Sequence, residues 1–272
     1  MMAKELIGAI DQMDADPFIR HDHSMPDLTP IQTDQAISKS IHDVGSTWML
    51  HGETMARAGE NGYDNPFAFY FAGRGGVLGE VDADVVYSAF GWFAPGIVRP
   101  MWETGIAVHG AREAARRYFA AAADWGRAHL AGCEGLDRFN VLAGRLMGEA
   151  DCSGRSLFAG WRVEPRVEDA SGQALQLIHV MREWRGSNHL VATTAAGLTP
   201  VEAILAGDGE GQAKFFGWAE PFAPVGDDHR ARRQEAEALT DRLCAASYQV
   251  LSPAERGELA ELVPILEAAA NS

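Results

Sequence analysis

Apolar residues recur every three or four positions along most of the chain, the period of a helix with one buried face, while strict alternation is scarce. The first such run predicts a helix from about Gln35 to Ala58, capped by Asp34. Ile37, Ile41, Val44, Trp48 and Met55 form its stripe, and Gly59 is its stop. The alanine-rich run from His109 to Leu130 and the run from Asp137 to Gly148 predict two more. Residues 173–196 place Leu177, Val180, Met181 and Trp184 on one stripe, with a polar break expected at Gly186–Asn188. Thr199–Pro200 and Ser252–Pro253 each pair a cap with a proline at the first helical position. They introduce a short helix VEAILAG and a closing helix that ends at Ala270, the latter preceded by a helix from Arg230 to Ala246.

The segments between are read as irregular. NPFAFYFAGRGGVLGEV predicts a tight loop whose glycines accept positive φ, and the following stretch predicts one buried helix kinked at Pro95 and Pro100. SLFAGWRVEP reads as a connection, and residues 206–228, rich in glycine, proline and aromatics, as a hinge over the core. Pro17, Pro26 and Pro30, with His21, Asp22 and His23, make residues 1–32 a loosely ordered arm. The expectation is an all-α or nearly all-α fold, a compact multi-helix bundle. Its single domain, 33–272, comprises pocket-forming helices to 205, the hinge, and closing helices from 229.

Composition narrows the functional classes. Lys and Arg number 23 against 38 Asp and Glu, a net charge of −15, which repels phosphate backbones and argues against nucleic acid as a partner. Cys133, Cys152 and Cys244 lie far apart without C-x-x-C spacing, so they read as reduced thiols rather than disulfides or zinc ligands. No window is apolar enough to span a membrane and no export signal opens the chain, so a cytoplasmic address is expected. P-loop, zincin and serine-hydrolase motifs are all missing.

Candidate chemistry rests on histidines set among large apolar residues: His42, His179 and His189. On one continuous first helix, His42, Met49 and Glu53 share a face; on the later helix, His179, Arg182 and Gly186 do. Two polar stripes converging on one cavity would give a ligand site, with arginine fixing a carboxylate. Neutral imidazoles also ligate metals, so His42 and His189 are the metal candidates, with haem or a transition metal as candidate cofactors. Trp92, Trp102, Trp184, Trp218, Phe67, Phe69, Tyr70 and Phe71 read first as core and second as pocket lining. Arg230, Arg232 and Arg233, flanked by acids, read as a solvated helix face.

Five stretches carry a family resemblance: IHDV around His42, the run from Phe69 to Pro95, SLFAGW from Ser156, the run from Leu175 to Leu205, and DRLCAAS. In that order they resemble an actinobacterial family of SalK-like proteins, of helix-turn-helix or MarR-like type, several of them encoded near natural-product genes. The resemblance implies His, Arg and Gly at the positions of His42, Arg74, His179, Arg185, Gly186 and His189. It also implies a ligand-responsive regulator. The winged-helix segment that the family inserts after Leu205 is shortened or lost here, and Lys214 stands alone among acids and aromatics where a reader helix would need a basic face. The expected function is therefore small-molecule binding in an interior His/Arg pocket with little or no DNA binding. The alternative is a haem- or metal-dependent, or His acid/base, enzyme of natural-product metabolism on the same pocket. The apolar closing helices make a homodimer a further expectation.

Overall fold

The computed structural model describes residues 27–272. Thr29 opens α1 (Pro30–Leu50) through a capping box with Gln32, and Pro30 presets the first turn. The cap thus lies upstream of the expected Asp34, which is instead buried inside the helix. Helix replaces the arm from Pro30 onward, and His21 and His23 lie outside the described residues.

The expected single first helix is two. His51 takes an extended backbone, ends α1 and caps α2 (Gly52–Glu60), its ring accepting from the Glu53 amide. Where a tight loop was expected, Asn65 and Pro66 start α3 (Pro66–Gly75), which runs into a short 3-10 turn, Gly76–Leu78. Gly73 and Gly76 serve close packing rather than positive φ, whereas Gly79, at φ 85, has the positive φ expected of this segment. A Cβ on Gly76 would stand 2.0 Å from the Ala111 carbonyl oxygen, and one on Gly73 2.6 Å from the Tyr118 side chain.

Gly91, at φ 71, divides the expected kinked helix into α4 (Ala83–Phe90) and α5 (Pro95–His109). Then follow α6 (Ala111–His129), α7 (Leu136–Glu149) and α8 (Ser156–Val163), the last where a connection was expected. The remaining helices are α9 (Ala170–Ala195), α10 (Pro200–Gly207), α11 (Glu210–Phe215), α12 (Asp227–Ala245) and α13 (Pro253–Ala270). Capping boxes at Thr199 and Ser252 start α10 and α13. The fold is all-α, and among the described residues there is no strand and hence no wing.

α9 is the axis, packed against α6, α12, α7, α1 and α8. It buries residues on every side, as a helix surrounded by others must. It also runs unbroken through Gly186–Asn188, because the polar groups there find partners. Buried Asn188 accepts from Arg155 Nε at 2.5 Å and its amide reaches Cys244 Sγ at 3.5 Å. Leu259, Val263 and Leu266 of α13 are buried in the common core, where α13 packs on α1 and α7, so the apolar face that prompted the homodimer expectation is covered by the chain itself. Among the described residues no single helix is long and apolar enough to cross a membrane.

Candidate functional site

α1, α4, α9, α10 and α12 enclose a cleft of about 400 Å³. Its apolar wall is aromatic: Tyr70 of α3, Phe90 of α4, Trp92 and Phe93 from the α4–α5 turn, and Phe216. The segment after α11 is pinned over that wall. Phe216 packs edge-on to Phe93 at 4.7 Å and its carbonyl accepts from the Ala94 amide, while Trp218 Nε1 donates to the Trp92 carbonyl at 2.8 Å. The expected hinge is therefore an ordered cover, part helix and part loop.

The polar wall is charged, and its inner end is a sealed pair. Arg74 donates to both oxygens of Glu183, at 2.8 and 2.9 Å, with both side chains buried and Arg74 stacked over the Phe90 ring at 4.4 Å. Burial alone would raise the Glu183 carboxyl, yet Arg74 beside it holds it at about 2. Arg182 adds a second guanidinium, its Nη1 donating to Glu183 at 3.2 Å and its Nε to Ser46 at 3.2 Å. Two cations thus share one carboxylate, and Arg182 Nη2 has no hydrogen-bond partner among the described residues. Gly45 makes room for this arrangement: a Cβ there would stand 2.6 Å from Arg182 Cδ.

The outer end is acidic. Arg185 is shared by Asp241 at 3.3 Å, Glu237 at 3.5 Å and, from behind, Asp34 at 3.9 Å. Burial lifts the Asp34 carboxyl to about 7 although Arg185 opposes the rise. Arg233 pairs with Glu237 one helical turn on.

His42 and His189 both line the cleft. His189 is fixed: Trp92 stacks on its ring at 5.3 Å, and its Nδ1 is 2.8 Å from the Thr240 hydroxyl. Burial lowers it to about 4, with Glu237 pulling up and Arg233, Arg185 and His42 pushing down. His42 is open to the cleft yet has protein on most sides. Desolvation and then the Arg182 charge bring it to about 4 as well. Both rings are neutral at pH 7.

The sequence candidates thus divide. His42, Arg74, Arg182, Arg185 and His189 come together, joined by Glu183, Arg233, Glu237 and the aromatics. His179 does not line the cleft; it lies wholly buried among Trp161, Trp48, Phe119 and Tyr118, with neither ring nitrogen hydrogen-bonded. Glu53 belongs elsewhere, because the break at His51 swings it off the His42 face and against His129. Of the aromatics, Tyr70 and Trp92 line the cleft, Trp102, Trp184, Phe69 and Phe71 are core, and Phe67 is exposed. Arg230 and Arg232 make the expected surface pairs, whereas Arg233 also turns to the cleft.

His42 and His189 fit a metal or haem iron poorly. Arg182, Arg185 and Arg233 press positive charge on them, and they join no third ligating group; the group of that kind among the described residues lies at His51, Glu53 and His129. The cleft instead offers a cationic end, two neutral imidazoles and an aromatic wall. No curated protein and no solved structure matches the chain. A family model described as a helix-turn-helix family matches residues 35–224 of the 272, from α1 through α11, and the chain belongs to that family.

Proposed function

We propose that this protein is a regulator-like member of the helix-turn-helix family that acts by binding a small organic acid in the cleft. One observation carries the reading: Arg182 brings a guanidinium in excess of the carboxylate it shares, with a free donor, beside a wall of flat aromatic rings. A planar carboxylate suits that donor, since arginine presents two parallel N–H groups to two oxygens, and the ligand's apolar body would lie on Trp92, Phe90 and Phe93. His42 and His189, being neutral, serve as hydrogen-bonding partners rather than counter-charges. Arg74 and Arg185 hold the wall in place through Glu183 and Asp34, so they position the site more than they touch its occupant.

The same reading assigns little DNA contact to this chain. Its α10–α11 pair has the order of a helix-turn-helix, but α11 is short, opens on Glu210, and commits its Lys214 to Glu220 at 2.8 Å. Thermal unfolding with benzoate, phenylacetate and indole-3-acetate, each against its primary amide, tests the cleft. Carboxylates should raise Tm and amides should not. A gel shift on DNA from upstream of the gene tests the second part; salt-sensitive binding at micromolar protein would overturn it.

A further inference from the structure

A second constellation lies away from the cleft and stands independently of the reading above. The donor atoms of His51, Glu53 and His129 all lie within 4.8 Å of one another, and none of these residues lines the Arg182 cleft. They come from different places: the joint between α1 and α2, the first turn of α2, and the last residue of α6. Glu53 Oε2 is 3.0 Å from His129 Nε2 and 3.7 Å from His51 Nδ1. A tetrahedral zinc-type ion with bonds of about 2.0–2.1 Å sets its donors about 3.3 Å apart, so the two Glu53 contacts need shifts of tenths of an ångström, and the two imidazoles, which lie within 4.8 Å, draw together around the ion.

Neighbouring groups hold both rings. His51 Nδ1 accepts from the Glu53 amide at 3.4 Å as the cap of α2, so an ion taken on that nitrogen would replace this long cap hydrogen bond. Trp125, a turn before His129, stacks on its ring at 4.0 Å and 16°, while His51 meets Trp125 and His129 edge-on at 5.9 and 5.3 Å. Glu53 and Trp125 also border a second cavity of about 320 Å³, whose other charged residues are Arg57, Glu60 and Asp124. Arg57 is taken up by Glu60 at 2.8 Å and Asp124 at 3.2 Å, so the local field favours a cation.

We infer that His51, Glu53 and His129 form a binding site for a divalent transition metal of the zinc type, tying the start of α2 to the end of α6. Two imidazoles and a carboxylate select zinc, cobalt or nickel over magnesium and calcium, and three protein ligands leave a fourth position for water. The test is titration of the untagged, chelator-stripped full chain with zinc against a chromophoric chelator, repeated with cobalt for its absorption bands. The expected result is one equivalent bound, a zinc-dependent rise in Tm, and affinity lowered at least ~10-fold in each of His129→Gln, Glu53→Gln and His51→Ala. Circular dichroism checks that each variant folds, and Glu53→Gln, at an exposed side chain, decides the matter if a histidine variant does not. Absence of stoichiometric uptake by the wild-type chain overturns the inference. So does uptake that survives any one of the three substitutions in a folded protein.

Discussion

His179 and His189 stand on the same helix, α9, and both are kept neutral first by burial, yet they have opposite surroundings. His179 meets Trp161 edge-on at 4.5 Å and Trp48 at 5.4 Å, makes no hydrogen bond and does not line the cleft. His189 has a hydroxyl on one nitrogen, an indole on one face and the cleft beside it. An imidazole among apolar residues therefore signals burial, while the elements packed against it decide whether it lines a site. For His179 those elements are α1, α6 and α8, and they close; for His189 they are α12 and the α4–α5 turn, and they leave room.

The largest test of that contrast is Glu183→Gln, at the seam between the sealed region and the cleft. It leaves the buried Arg74 charge uncompensated and should cost about 3–5 kcal/mol in urea unfolding, without the loss being restored by salt. A cost under about 1 kcal/mol would mean that the seam is wet. Gly76→Ala comes next. Its methyl would collide with the Ala111 backbone, and a loss of about 1–3 kcal/mol or more is expected despite the better helix propensity of alanine. A third effect, spread over several pH units, appears in pH dependence. The unfolded chain protonates His179 near its ordinary 6.5, whereas the folded chain resists until about 3. Stability supplied by the neutral ring is therefore full above 6.5 and declines as pH falls toward 3, by up to ~1.4 kcal/mol per pH unit. His179→Leu should flatten the stability-against-pH curve by that slope between pH 6 and 4, and an unchanged curve would show that water reaches the cage.

Much of this architecture is legible along the chain. The helical period finds α6, α7, α9, α12 and α13, and the cap-proline pairs mark where α10 and α13 begin. The misses have physical causes. Gly73 and Gly76 are required by close helix approach, and a glycine needed for contact reads the same as one needed for positive φ. The break at His51 leaves the apolar stripe intact, so continuity was the natural expectation, and with it Glu53 was placed on the wrong face. His42, Arg182, Arg185 and His189 were visible as polar residues in apolar helices. Glu183, Arg233 and Glu237 were not, because their roles depend on which helix lies opposite.

The most direct measurement is thermal unfolding of wild-type and Arg182→Gln protein with indole-3-acetate and its amide. The account predicts that the acid alone raises Tm in the wild type, and that the variant, folded and of similar stability, needs roughly ten to a hundred times more acid for the same rise. Equal stabilisation by acid and amide, or an undiminished response in Arg182→Gln, would contradict the claim that the cleft recognises a carboxylate through Arg182.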